Sequence, residues 1–370
     1  MRASLECCSM PTRRQVLAGG VVGFGGLALA HCSRAEMDTY EATQAKLRAP
    51  LPVSPQMTEL VRFAALAPNS HNVQPWRFSI DERRCWISPD LTRRLPVVDP
   101  DDHHLFVSLG CAAENLMLAA QASGKSSAVD MRGNRIEIVF GGGDARQSPM
   151  FDAIPRRQTT RSTYDGRQVP ADALRLLEEA AKLEGVSLLL LTGKPHLESV
   201  LDFVIQGNSA QMDDAAFVRE LKAWIRFNPT EALATGDGLL GAASGNPSLP
   251  GWLGRAVFST VFRKNSENRK YAEHIRSSAG VAVFVSDQES KAGWVNIGRS
   301  FQRFALQATA LDLRHAHINQ PVEVMALRSE FSKWLGLGGR RADLVVRFGY
   351  APALPMSVRR PVERIIEPFA

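Results

Sequence analysis

Apolar residues recur every third and fourth position from Gln56 to Ala67, which predicts an amphipathic helix that ends where Pro68-Asn69-Ser70 opens a loop. A longer apolar run with small residues at helical spacing covers His104 to Ser123, and a run from Trp294 to Leu313 resembles it. The shift that lays Val107 on Val295 also lays Gly110 on Gly298, Leu118 on Leu306, Ala120 on Ala308 and Ala122 on Ala310. Each run is followed by an alternating strand ending in Phe-Gly, Arg135 to Gly141 in one case and Leu344 to Gly349 in the other. The chain therefore reads as two diverged copies of one unit joined near Ser148, the first over 40–147 and the second over 148–370. The second copy adds a helix from Ala171 to Leu183 and two continuous apolar strands, Val186–Leu191 and Ala279 to Ser286. Residues 203–263 have no counterpart in the first copy. The section Asn228 to Leu253 is rich in Gly, Pro, Ala and Asn, which predicts a long irregular insertion of the kind that forms lids and binding loops.

Composition narrows the class. With 370 residues, 45% of them hydrophobic and 22% charged, the chain has enough apolar material for a large core, and disorder as its main state is excluded. A net charge of +6 without a basic run argues against a nucleic-acid partner. Residues 1–31 have a separate logic: the pair Arg13-Arg14 precedes an apolar stretch from Val16 to Ala30, the outline of a twin-arginine export signal. That stretch falls short of the roughly 20 residues needed to span a bilayer, so no integral membrane span is expected. Ala28-Leu29-Ala30 favours cleavage after Ala30 over lipidation of Cys32, which follows His31 rather than a small residue. The expected destination is the periplasm or cell envelope, reached through the twin-arginine translocase, a route that carries folded proteins with cofactors already loaded.

Nucleophile-elbow, zinc-protease and phosphate-loop motifs are missing, as is any Cys-x-x-Cys pair. His103-His104 and the pair His315 and His317 have no carboxylate or cysteine at a useful spacing, and no metal is expected. Two polar clusters remain, one in each copy. Pro68, Asn69, Ser70, Asn72 and Gln74, in the run that leads through Trp76 into a strand, supply mixed donors and acceptors for a heteroaromatic ring or a polyol. A turn held by Asx bonds would use the same residues. Arg156, Arg157, Thr159 and Arg161 place guanidinium groups around hydroxyls, as a phosphate clamp or a solvated basic face would, and Arg359-Arg360 adds cations near the end.

The first cluster resembles the Pro-Ser-x-x-Asn-x-Gln-Pro-Trp motif of the nitroreductase superfamily, and the second its Arg-x-Ser-x-Lys/Arg motif. The chain is similar to the Acg-type branch, in which one polypeptide imitates the usual homodimer. The resemblance runs over residues 40–368, through Ile318-Asn319-Gln320-Pro321-Val322-Glu323 and Arg347-Phe348-Gly349-Tyr350. It implies an α+β fold duplicated within the chain, antiparallel-rich sheets around a helical interface, bound FMN, and a monomer standing in for a dimer. It further implies phosphate ligation by Arg157, Thr159 and either Arg359 or Arg360, with Arg161 beside the flavin pyrimidine. Pro68, Asn69, Ser70 and Asn72 would line the ribityl chain and ring, with Asn319 near the reactive N5. Lys46-Leu47-Arg48-Ala49-Pro50 is all that stands for the arginine cluster in the first copy, so one FMN per chain is expected. The implied activity is flavin-mediated hydride transfer to a small-molecule electron acceptor, a nitroaromatic or a quinone, with no side chain needed as acid or base. NAD(P)H, a quinone or a protein would be the donor. The alternative is a non-catalytic protein that sequesters FMN beneath the insertion.

Overall fold

The computed structural model describes residues 34–368; the expected export signal over 1–31 lies outside them. A helix over 34–47 (α1) leads to α2, Met57–Ala64, whose Leu60, Val61, Phe63 and Ala64 are buried before Pro68 stops the helical run. Strands β1 (Trp76–Ile80) and β2 (Arg84–Pro89) form a hairpin, α3 (His103–Ala122) follows, and β3 (Lys125–Arg132) and β4 (Arg135–Gly142) close the unit. Short α4 (Pro149–Ala153) and then α5 (Ala171–Ala181) open the second unit, whose first strand is β5 (Val186–Leu191).

Between β5 and the next sheet strand the chain makes a long excursion over 192–279. It contains α6 (Lys194–Asp213), α7 (Ala215–Trp224), β6 (Ile225–Arg226), α8 (Pro229–Thr235), β7 (Leu239–Leu240), α9 (Gly251–Val261) and α10 (Lys264–Arg276). The excursion is thus largely helical, while the section expected to be irregular contains only α8 and the start of α9 as α-helix and is without one over 236–250. The residues that suggested irregularity are helix punctuation: the Asn228 side chain accepts from Glu231 N at 2.9 Å, Pro229 takes the first helical position, and Gly236 ends α8 at φ +69°. Then come β8 (Gly280–Ser286), α11 (Lys291–Ala310), β9 (Arg314–His317), α12 (Gln320–Glu323), α13 (Met325–Trp334), β10 (Leu344–Gly349) and β11 (Ile366–Glu367).

The first sheet runs β1-β2-β4-β3 and the second β5-β8-β10-β9, the same antiparallel order built from strands in the same succession. The fold is α+β, with one and the same four-stranded order present twice. From the far end of the second unit β11 crosses over and adds to β1 in parallel. The sheets differ in cover, and their sequences show it. In β3 residues alternate between half-buried and exposed, because the outer face of the first sheet meets solvent, whereas every residue of β8 is buried. Ala282 and Phe284 face the central core, while Val281, Val283 and Val285 pack against Leu197, Val200 and Val204 of α6.

Between the sheets α3 packs on α11 at close range. A Cβ added to Gly110 would stand 2.1 Å from Val295 O, and one added to Gly298 would stand 1.9 Å from Val107 O. These four residues are the two pairs that the sequence shift superposes, so the contact is reciprocal about a local twofold. Cys111 Sγ donates to Gly298 O at 3.1 Å, and Gln302 Nε2 to Asn115 Oδ1 at 2.6 Å. Among the described residues only α3 is long and apolar enough to cross a membrane, and it lies in this core.

Candidate functional site: a three-part cleft between the copies

The loop after α2 is held in an unusual shape. His71, Asn72 and Gln74 all have positive φ (48°, 55° and 54°), a region that non-glycine residues enter at a cost. Asn69 supports it, its Oδ1 accepting from Gln74 N at 2.7 Å and its Nδ2 donating to Ala67 O at 3.3 Å. The Asx-turn reading therefore holds for Asn69, which still lines the cleft with Pro68 and Ser70.

Asn72 and Gln74 are committed elsewhere. Asn72 Nδ2 donates to Gly238 O and Val358 O, both at 3.1 Å, while its Oδ1 accepts from Arg359 Nη1 at 3.0 Å. Gln74 Nε2 donates to Gly236 O at 2.9 Å and its Oε1 accepts from Arg360 N at 2.8 Å. Both side chains bind the excursion and the C-terminal segment. Asn72 only borders the cleft and Gln74 lies behind it.

The smallest part of the cleft, about 40 Å³, is bordered by Arg48, Asn72, Arg157, Thr159 and Arg359. Arg157 Nη2 donates to Leu66 O at 3.1 Å, but its Nε and Nη1 are buried without a partner, as is Arg48 Nε. Burial pushes both guanidinium groups down to about 10. Cations buried with free donors are costly unless an anion joins them. Arg359 is different: it donates to Ala65, Leu66, Ala67 and Val358 carbonyls and to Asn72 Oδ1, so it caps the end of α2 and leaves only its charge to the pocket. Arg360 does not border the pocket; it donates to Arg364 O at 2.9 Å and pairs with Asp90 at 3.8 Å. Arg156 closes the short turn Ile154–Arg156 and is exposed, reaching only Asp152 O at 3.4 Å. Of the arginines expected to hold phosphate, Arg157 and Arg359 border this pocket, whereas Arg156 and Arg360 do not. Arg48, read from the sequence as a vestige in the first copy, enters the same pocket.

Beside it lies a chamber of about 200 Å³ that Pro68, Asn69, Ser70 and His71 face from one copy and His317, Asn319 and Gln320 from the other. Asn319 Oδ1 accepts from Val345 N at 2.9 Å, which ties the segment to β10. Arg161 borders all three parts of the cleft, half-buried, and has no hydrogen-bond partner among the described residues. Burial, with Arg161 next in effect, pushes His71 down to about 4 and His317 to about 3, so both rings are neutral. His104 and Ser108 of α3, Asn208 and Gln211 of α6, and Glu267 and Tyr271 of α10 complete the walls, each pair one helical turn apart. That spacing was the available signal for these six, and the sequence reading missed it. Glu323 also faces the chamber, accepting from Gln211 Nε2 at 2.7 Å, and burial holds its carboxyl above the usual range.

One further expectation is corrected. A carboxylate does accompany His103-His104: Asp99 folds against them. Its oxygens accept from His104 N at 3.0 Å and Leu105 N at 2.9 Å, while Arg341 Nη2 lies 3.0 Å from His103 Nδ1.

No family model matches the chain. It is 23% identical to "Putative NAD(P)H nitroreductase Rv3131" of Mycobacterium tuberculosis H37Rv over 327 residues, 83% of this chain and 90% of that protein. It is equally 23% identical to "Putative NAD(P)H nitroreductase acg" of the same strain over 323 residues, 82% of this chain and 93% of that protein. Both mycobacterial proteins therefore align with this chain over more than four fifths of its length. Solved structures similar to it include the FMN-dependent nitroreductase NfnB of Mycobacterium smegmatis in complex with NADPH, with TM-score 0.37 and 14% identity over 60% of this chain and 94% of that one. A nitroreductase with bound FMN from Desulfitobacterium hafniense DCB-2 gives TM-score 0.36 and 15% identity over 58% and 96%.

In this chain the neutral histidines make stability depend on pH. Between about 4 and 6.5 the unfolded chain holds a proton on His71 that the folded chain does not, so stability falls as pH drops through that window. Thermal unfolding followed from pH 7 to pH 5 should show a declining Tm, and His71→Gln should flatten the decline. An unchanged slope would remove His71 from the account.

Proposed function

We propose that this chain is an FMN-dependent oxidoreductase that passes hydride through flavin N5 to an electron-poor acceptor, a nitroaromatic or a quinone. The observation that carries the reading is Arg157, whose Nε and Nη1 are buried and unpartnered beside Arg48 and Thr159 in a pocket adjoining the ring-sized chamber. A phosphate monoester fits that donor set, because charge-assisted bonds would satisfy orphaned donors and neutralise clustered cations at once. When bound, FMN supplies a ring that accepts and returns hydride at N5.

The chain's part is to hold and to shield. Arg157, Arg48 and Thr159 would fix the phosphate, with Arg359 lending charge. Arg161, a cation at the meeting of the three spaces, would stand by the pyrimidine edge and favour the more negative redox state of the ring. Pro68, Asn69 and Ser70 would face the ring from one copy and Asn319 from the other. The names of the mycobacterial relatives support NAD(P)H as donor, with a quinol, oxidised to the quinone, or a protein donor serving where nicotinamides are scarce. Export fits this reading: Arg13-Arg14 and the stretch Val16 to Ala30 support passage through the twin-arginine translocase to the periplasm or cell envelope. We further propose that 40–147 and 148–370 are the two halves of a duplication, so that one monomer replaces a pair of subunits.

A second reading, storage of FMN without turnover, is favoured by the way the excursion is pinned. Asp237 takes Arg226 Nη2 at 2.7 Å and also pairs with Arg93, while Gly238 N donates to Asn72 O at 3.3 Å. The deciding experiment is a visible spectrum of the purified protein after FMN is added, followed by anaerobic NADPH. Flavin bands that bleach support the enzyme. Bands that persist in the native chain but bleach at least tenfold faster in Asp237→Ala support a closed lid, and the absence of bound flavin would overturn both readings.

A further inference from the structure

An acceptor that takes hydride is left one proton short. A quinone becomes a hydroquinone by gaining one hydride and one proton, so a group able to give a proton at the acceptor speeds the step. The ring chamber holds such a group in Glu323, the last residue of α12.

Its position is fixed from two sides. Glu323 N donates to Asn319 O at 2.8 Å, and Asn319 Oδ1 accepts from Val345 N, which ties the short helix to β10. On the other side α6 lies so close that a Cβ on Gly207 would stand 2.6 Å from Gln320 Cβ. One turn further along α6, Gln211 Nε2 donates to Glu323 Oε2 at 2.7 Å. Oε1 makes no hydrogen bond among the described residues, so it is the oxygen left to carry a proton toward a guest of the chamber. The titratable and charged groups around the carboxyl are Asp99 before α3, His104 on α3, Tyr271 on α10 and Arg328 on α13. Burial raises the carboxyl above its usual range and Asp99 adds to the rise, against the opposing pull of His104, Gln211 and Arg328. Its neighbours on the wall serve less well as acids. Burial pushes the Tyr271 phenol up to about 12, and it leaves His71 and His317 neutral. His104 spends its Nε2 proton on Asp343 O at 3.2 Å.

We infer that Glu323 is the proton donor of this chamber, its Oε1–H bond breaking as an O–H bond forms on an acceptor that is gaining hydride. The electron pair of the broken bond stays on the carboxylate, which takes a new proton from water after the product leaves. The donor role rests on the flavin reading of the chamber, whereas a protonated carboxyl at this position does not. Infrared spectra of the FMN-free chain at pH 7 should contain the C=O stretch of a carboxylic acid that Glu323→Gln removes, while Asp99 and Asp343, also raised by burial, keep theirs. The FMN-loaded chain, reduced with dithionite and mixed anaerobically with menadione, reads the transfer itself. Reoxidation should be about 100-fold slower in Glu323→Gln, with the flavin absorbance retained. The parent rate should fall as rising pH ionises the carboxyl, and the variant should be slow and flat across the same range. Gln211→Leu removes a bond that favours the charged carboxylate, so it should move that fall to higher pH, and it serves as the test if Glu323→Gln does not fold. Glu330→Gln, an exposed carboxyl on α13, should change none of these. A flavin-loaded Glu323→Gln that reoxidises at the parent rate, an unchanged infrared spectrum, or a loss that follows Glu267→Gln instead overturns the proposal. FMN that fails to load overturns the flavin reading and the donor role with it; FMN that loads with an unchanged rate overturns the donor role alone.

Discussion

Replacing Arg157 with alanine should weaken FMN binding by roughly tenfold to 150-fold, since a hydrogen bond to a charged group contributes about 1.5–3 kcal/mol. The sign of the companion effect on the free protein is what makes the test specific. Arg157 is buried with two donors unsatisfied, so its removal from the FMN-free chain relieves part of a desolvation cost even as it loses the bond to Leu66 O. The Tm of the FMN-free variant should therefore stay near that of the parent, while the rise in Tm on adding FMN shrinks. Arg359→Ala should do the opposite and destabilise the free protein, because five acceptors around the end of α2 lose their donor together. Arg156→Ala, an exposed residue outside the pocket, should change neither quantity. An Arg157→Ala variant that binds FMN as the parent does would end the phosphate assignment, and titration of the flavin absorbance reads it directly.

The contrast between these arginines shows where sequence reading reaches its limit. Spacing brought Arg157, Thr159 and Arg161 forward because they share one short segment, and the segment does reach the cleft. Whether Arg156 or Arg157 points inward depends on a single turn, Ile154–Arg156, whose phase residue types do not reveal. Arg48 was invisible for another reason: nothing local to the end of α1 signals that it returns beside a segment more than a hundred positions later, and only the folded pair of copies places it there. Asn72 and Gln74 show a different limit, since both spend their amides on backbone of the excursion and the C-terminal segment. Their polarity was legible, but an amide that binds a ligand and one that binds a neighbouring backbone are the same in sequence. The duplication was legible because the two helices at its centre carry matching residues where they touch. Within the section expected to be irregular α8 went unread, because Asn, Pro and Gly mark loops and helix ends alike, and here they bound it.

That central contact carries the other large prediction. Gly110→Ala and Gly298→Ala should each destabilise the protein at or beyond the upper end of the usual overpacking range, about 3 kcal/mol. Alanine is the better helix former, by about 1 kcal/mol, so propensity alone predicts a gain. The geometry outweighs it: the new methyl would sit 2.1 Å from Val295 O in one case and 1.9 Å from Val107 O in the other. Those atoms are backbone, which no rotamer change can move aside, so α3 and α11 must separate. Separation loosens Cys111 against Gly298 O and the Gln302 to Asn115 bond as well. Gly142→Ala, where an added Cβ meets nothing within 4 Å, is the control and should be close to neutral. Because the two clashes face each other across one local twofold, a single displacement of the helices relieves both. The double variant should therefore lose distinctly less stability than the sum of the single losses, a coupling that thermal unfolding of the four proteins measures. Strict additivity would mean that the two contacts yield independently and that α3 and α11 do not move as one rigid pair.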